Sequence, residues 1–230
     1  MVFLFSSISP CLFILYLVYR HDLEKEPKKM LVKAFFGGVL SILVSFFFSI
    51  PFGIFAENMN IEGPFFSAFF EAAIAEELAK WLIFYWFIKK AKHFDQFYDG
   101  ILYAIFISMG FALVENILYV YEGGIGVAFF RAVLAVPGHM LFAVPMGYYL
   151  SLAKFESGRD LAKHTFFSLA IPILLHGTYD FILMSTEKIE KFPGLILVLL
   201  IAFVLFEIYL WRYGLKKIRL HINRDKNNAT

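Results

Sequence analysis

Residues 65–88 read FFSAFFEAAIAEELAKWLIFYWFI, a membrane-length apolar stretch interrupted at its middle by Glu76, Glu77 and Lys80. An α-helix rises 1.5 Å per residue, so about 20 apolar residues cross the ~30 Å hydrocarbon core of a bilayer. Placing one charge at the centre of that core costs roughly 2.5–3.5 kcal/mol on insertion scales. A segment that keeps three such residues has a polar chamber to line.

The pattern recurs along the chain. Glu115 interrupts a second apolar run, Arg131 and His139 a third, His176 and Asp180 a fourth. The apolar runs predict an all-α polytopic membrane protein with seven spanning helices at about 2–19, 30–56, 65–88, 99–121, 126–153, 164–185 and 193–214. No long polar insertion divides them, so residues 1–230 read as a single integral-membrane domain with a polar, basic tail at about 215–230. Hydrophobic residues make up 60% of the 230 positions, charged residues 17%, and 30 are Phe. That composition suits a surface facing lipid. The first apolar run lacks a basic leader and a small-residue cleavage site, so it reads as an uncleaved anchor. The only cysteine, Cys11, lies in that run, which excludes a disulfide framework and a thiolate metal site. The partner expected is the lipid bilayer, with no nucleic acid.

Lys and Arg fix the orientation. Arg20, Lys25, Lys28, Lys29 and Lys33 follow the first helix, Lys89, Lys90 and Lys92 the third, and Lys154, Arg159 and Lys163 the fifth. Arg212, Lys216, Lys217, Arg219, Arg224 and Lys226 follow the seventh, against Lys188 and Lys191 on the opposite side. The positive-inside rule then places the N-terminus outside and the C-terminus in the cytoplasm. Glu115, His176, Glu76 and His139 fall roughly 9, 14, 18 and 20 Å below the outer ends of their helices at 1.5 Å per residue. Those depths allow all four to converge on one cavity open to the external side.

Spacing gives each helix a polar face. Glu76 and Glu77 lie four and three residues before Lys80, within reach of its ammonium. His176 and Asp180 are four apart, the arrangement in which a carboxylate orients an imidazole. Asn116 adds an amide able to donate to a developing oxyanion. Pro137 and Pro172 stand just before His139 and His176, and proline inside a spanning helix frees backbone groups that protein or water must satisfy.

Taken together, Glu76-Glu77-x-x-Lys80, Asp99-Gly100 leading to Phe111-x-x-x-Glu115-Asn116, His139 followed by Gly147-Tyr148, and His176-Gly177-x-Tyr179-Asp180-Phe181 resemble the PrsW family of intramembrane proteases. The resemblance runs over roughly residues 12–185. PrsW is itself similar to the CAAX prenyl endopeptidase and bacteriocin-processing superfamily, with Glu115 where those enzymes carry histidine and Asp180 where they carry asparagine. The resemblance implies an endopeptidase of a bacterial or archaeal cytoplasmic membrane. It also implies a substrate: a single-pass anti-sigma factor, cut first on its extracytoplasmic side.

Peptide hydrolysis needs an activated water, an acid for the leaving amine, and stabilisation of the oxyanion. The residues offer two routes. In one, Glu76 or Glu77 is the base, Glu115 or His139 shares the water, and His176 (oriented by Asp180) and Asn116 face the oxyanion. In the other, ligands drawn from Glu76, Glu77, Glu115, His139 and His176 hold a divalent metal such as zinc. Lys80 and Arg131 read as counter-ions in either case. Ser108 reads as a small packing residue, Gly37-Gly38 as close packing and Gly123-Gly124 as a turn. His21, His93, His164 and His221 are expected to be solvated. An ion-coupled transporter or channel with a buried proton relay would need similar residues, but no inverted repeat is visible.

Overall fold

The computed structural model describes residues 2–156, 160–189 and 192–228, and Arg159 and Lys191 from the charge pattern lie outside them. Among the described residues there is no strand, and the helices lie along the apolar runs read from the sequence. Helix α1 (Val2–His21) and α2 (Lys28–Met59) are joined by a short acidic link. Asn60 ends α2 in the left-handed conformation at φ 51°, which lets Ile61 N–H close on Ala56 O at 2.9 Å.

Helix α3 spans 64–88 and is not uniform. Pro64–Phe66 and Ala75–Ile83 are α-helical, whereas Ser67–Ile74 and Phe84–Ile88 are wound as π-helix. The short α-helical piece carrying Glu76, Glu77 and Lys80 is thus bracketed by two wider segments, a device common at functional sites.

From Phe97 to Phe155 the chain stays apolar for 59 residues, which as a straight rod would measure about 89 Å. It folds into a hairpin instead. Helix α4 (Phe97–Phe130) breaks at Gly124, with φ 76° and ψ −163°, a conformation open to glycine but strained for other residues. The returning arm passes through a π-helical turn, Arg131–Ala135, into α5 (Val136–Phe155). Pro137, which has no N–H to give, sits just after that turn. Helix α6 (Leu161–Lys188) runs unbroken through Pro172, and α7 (Pro193–Asn228) closes the chain.

The core is built on α4. Every residue from Phe97 to Ala112 is buried, as expected for a helix that is apolar on all sides. Glycines let its neighbours approach to backbone contact. Gly100 and Gly147 meet across α4 and α5, while Gly38 rests against the Ile107 carbonyl and Gly110 against that of Phe35. The outside carries Phe5, Phe13, Phe36, Phe47, Phe129 and Leu205 in the open, more apolar surface than a water-soluble monomer displays. Five stretches, counting Phe97–Phe155 as one, are long and apolar enough to cross a membrane.

Helix α7 outlasts the apolar run, which the sequence reading ends near 214. Its basic residues leave a second face of Ile218, His221 and Ile222 that packs on the base of the bundle. There Asp225 accepts the backbone N–H groups of Phe97 and Tyr98, both at 2.8 Å, satisfying orphan donors at the start of α4. His221 stacks on Tyr148 at 4.1 Å and donates to its carbonyl at 3.0 Å. His221 is therefore buried and not solvated, because the tail helix folds back onto the bundle; His164 is buried too, beside Tyr149 and Glu156, while His21 and His93 are exposed as expected.

Candidate active site

Helix α3 supplies the centre. Lys80 Nζ lies 2.8 Å from Glu77 Oε1 and 3.3 Å from Glu76 Oε2, and its side chain is 1% exposed. It also lies 3.4 Å from His139 Nδ1 and 4.1 Å from the centre of the Phe111 ring. An ammonium this deep is tolerable because two carboxylates, an imidazole nitrogen and an aromatic face surround it.

The hairpin at Gly124 brings the second group together. Glu115 Oε2 accepts from Arg131 Nη2 at 2.9 Å and from His139 Nε2 at 2.7 Å. With Nε2–H donating to Glu115, the neutral His139 imidazole has its lone pair at Nδ1, where the Lys80 ammonium donates. Ser108 Oγ donates to the His139 carbonyl at 2.8 Å, fixing the backbone beneath the ring. Arg131 Nε donates to Asn116 Oδ1 at 2.9 Å, and the guanidinium lies 4.3 Å over the Tyr119 ring.

Helix α6 closes the ring. His176 Nδ1 is 2.9 Å from Glu77 Oε1 and Nε2 is 3.2 Å from Asp180 Oδ2. Phe142 stacks on its imidazole at 4.8 Å, and the His139 ring stands 5.5 Å away.

A cavity of about 400 Å³ opens onto this network, its polar wall formed by Glu76, Glu115, Arg131, His139, His176 and Asp180. Exposure separates the carboxylates. Glu76, Glu115 and Asp180 side chains are 16%, 18% and 20% exposed, against 1% for Glu77. Glu77 and Lys80 stand behind the wall.

All nine residues singled out in the sequence come together here. Asn116 does so differently from its expected role at the oxyanion. It is fully buried and its amide N–H donates to Ser7 O at 2.8 Å, so the side chain holds Arg131 in place and does not face the cavity. Through Ser7, α1 packs against the site, while buried Cys11 is absent from the cavity wall. Ser108 is more than packing, and Tyr119 and Phe142 were not anticipated. Each shares a helix face with a residue that was: Ser108 two turns before Glu115, Tyr119 one turn after it, Phe142 three residues after His139.

One donor atom from each of Glu76, Glu77 and His139 lies within 4.8 Å of the other two. Glu77 Oε2 is buried with no hydrogen-bond partner. Two carboxylates and an imidazole suit an open catalytic zinc site, provided the Lys80 ammonium turns aside from the same three donors.

The model of a family described as PrsW family intramembrane metalloprotease matches residues 26–208. Protease PrsW of Oceanobacillus iheyensis is 39% identical over 199 residues, covering 86% of this chain and 91% of its own. The Bacillus subtilis protein of that name is 37% identical over 216 residues, 93% of each chain, and that of Clostridioides difficile 34% over 216 residues, 88% of this chain and 83% of its own. No solved structure matches. Likeness to proteases across nearly the whole length, with an ionisable pocket among membrane-length helices, sets the transporter reading aside: the chain belongs to the PrsW family and is an intramembrane endopeptidase.

Proposed function

We propose that the enzyme cuts a single-pass membrane protein on the external side of a bacterial cytoplasmic membrane, with Glu76 as the group that activates water. The observation that carries this reading is the division of the glutamate pair. Glu76 stands on the cavity wall, whereas Glu77 is sealed behind it between Lys80 and His176. A base must reach the water whose proton it takes. Glu76 takes that proton and returns it to the leaving amide nitrogen. Arg131, also on the wall, keeps guanidinium N–H groups beyond those given to Asn116 and Glu115 for the oxygen of the scissile carbonyl as it becomes an oxyanion, and His176, gripped between Glu77 and Asp180, lends its charge beside it. Asp180 holds the His176 ring, and Glu115 holds Arg131 and His139.

Glu76, Glu77 and His139 are the residues that would hold a divalent metal such as zinc. Bound there, it supplies Lewis-acid polarisation of the carbonyl and a more acidic water. The substrate we infer is an anti-sigma factor, the class implied by the motif resemblance, and the external side follows from the distribution of Lys and Arg.

The test is reconstitution of the purified chain in liposomes with a labelled single-pass anti-sigma factor. Wild-type protein is expected to release a fragment cut near the external face, and Glu76→Gln to release at least about a hundredfold less per unit time. Equal cleavage by the two proteins overturns the assignment. A chelator arm decides between the two routes: activity lost and restored by zinc assigns the metal, and unchanged activity leaves Glu76 to act alone.

A further inference from the structure

At the end of the bundle opposite the cavity, a second group of acids surrounds the start of α4. One carboxylate oxygen from each of Glu26, Asp95 and Asp99 lies within 4.8 Å of the other two. Glu26 is 4% exposed and Asp99 fully buried. Asp99 Oδ2 accepts the backbone N–H groups of Asp95 at 3.0 Å and Gln96 at 2.7 Å. Its other oxygen, Oδ1, is buried and meets no donor. Asp22 repeats the arrangement beside Glu26: Oδ2 accepts Glu26 N–H at 2.9 Å, and Oδ1 is buried without a partner. The hydroxyl of Tyr103 donates to Glu26 Oε2.

Lys154, Lys25 and His93 lie near enough to attract these acids from a distance, but none of the three reaches a carboxylate oxygen among the described residues. Among the described residues none of the four makes an ion pair, although two lysines are close in the chain or fold. Lys25 Nζ is taken up by three carbonyls, Tyr19 O at 2.8 Å, Arg20 O at 3.2 Å and Asp22 O at 2.6 Å. Lys154 Nζ donates to Ala91 O at 3.2 Å and lies 4.1 Å over the Phe94 ring. Buried carboxylates that close together need a counter-charge or a shared proton.

We propose that Glu26, Asp95 and Asp99 bind a hard divalent cation, Mg²⁺ or Ca²⁺, at a site separate from the catalytic cavity. The donors are all oxygens, which selects a hard ion over zinc or copper. Asp95 is exposed and offers a way in from solvent. Glu115 lies sixteen residues beyond Asp99 along α4, about 24 Å away at 1.5 Å per residue, so the ion touches no substrate. Its work is to tie the α1–α2 link to the first turn of the helix on which the core is built.

Mn²⁺ serves as the probe, with free ion counted by electron paramagnetic resonance on the full chain in detergent after chelation and buffer exchange. Wild-type protein is expected to bind a Mn²⁺ that Mg²⁺ or Ca²⁺ displaces. Asp95→Asn, at an exposed position that leaves folding intact, and Asp99→Asn should each weaken that binding about tenfold or more, while His139→Ala should leave it in place. The melting temperature of wild type should rise with Mg²⁺, and that of Asp95→Asn should not. No saturable binding by wild type overturns the proposal. So does binding that survives Asp95→Asn but vanishes in His139→Ala, which would move the ion to the cavity. A wild-type protein stabilised by acid alone and indifferent to Mg²⁺ and Ca²⁺ would also overturn it, with a shared proton in place of the ion.

Discussion

Glu77→Gln separates support from chemistry in the glutamate pair. The substitution keeps shape and removes one charge. It strips Lys80 of its 2.8 Å partner and His176 of its 2.9 Å partner, leaving Glu76 at 3.3 Å as the one carboxylate on the ammonium. Breaking a buried ion pair from one side costs about 3–5 kcal/mol, since the other charge stays uncompensated. The surviving Glu76 contact puts this case near the lower end, about 3 kcal/mol. For a chain of this size a kcal/mol moves the melting temperature by about 2–4 °C, so Glu77→Gln should melt roughly 6–12 °C below wild type. Glu77→Gln combined with Lys80→Met removes both charges and should regain most of that loss. Cys11, the single cysteine, is fully buried, so its reaction with a thiol-sensitive dye during heating reports unfolding directly. Glu76→Gln, changing a group on the cavity wall, should melt within about 2 °C of wild type and still fail to cleave. If Glu77→Gln melts with wild type, or the double variant is no more stable than the single one, Glu77 is not the support described here.

Asp180→Asn should lower cleavage about ten- to a hundredfold with expression unchanged, since it loosens the His176 ring without removing it. His139→Ala and His176→Ala should each abolish most cleavage in the liposome assay. Gly147→Val would push a side chain into the backbone of Gly100; part of α4 must move, at a cost of at least about 1–3 kcal/mol, read as a lowered melting temperature. His221→Ala should destabilise measurably while exposed His93→Ala stays within about 0.5 kcal/mol of wild type. A reporter active only in the cytoplasm should work when fused to the C-terminus and fail in the 57–64 loop; the reverse would put the cavity on the cytoplasmic side.

The helices and the polar cluster were legible because lipid leaves so few alternatives. A spanning backbone must satisfy itself, so apolar runs become helices, and charges among them must find one another. The i,i+4 pairing of His176 with Asp180 and the Lys80 contacts with Glu76 and Glu77 followed from helical spacing alone. Whether Asn116 faces an oxyanion or supports its neighbours was not legible, because sequence gives the depth of a side chain but not what lies beside it: Ser7, more than a hundred residues earlier, claims its amide. His221 was misread for a related reason. A basic stretch looks solvated until its thin apolar face is seen to have a surface to dock on. The π-helical windings of α3 had no signature in the spacing, since hydrophobic period does not record one extra residue in a turn.

The pairing of charges also bears on how the chain enters the membrane. Lys80 answers Glu76 and Glu77 from within α3, Arg131 answers Glu115 across one hairpin, and Asp180 stands one turn from His176. Each segment therefore leaves the translocon with a counter-charge already in hand and meets only part of the roughly 2.5–3.5 kcal/mol that a lone charge would cost. The contacts that cross between these units, Glu77 to His176 and Lys80 to His139, can form only after α6 and α5 have been synthesised. Insertion and assembly are thus separate stages. The order of synthesis keeps the hydrolytic pocket incomplete until the chain has threaded most of its length into the bilayer.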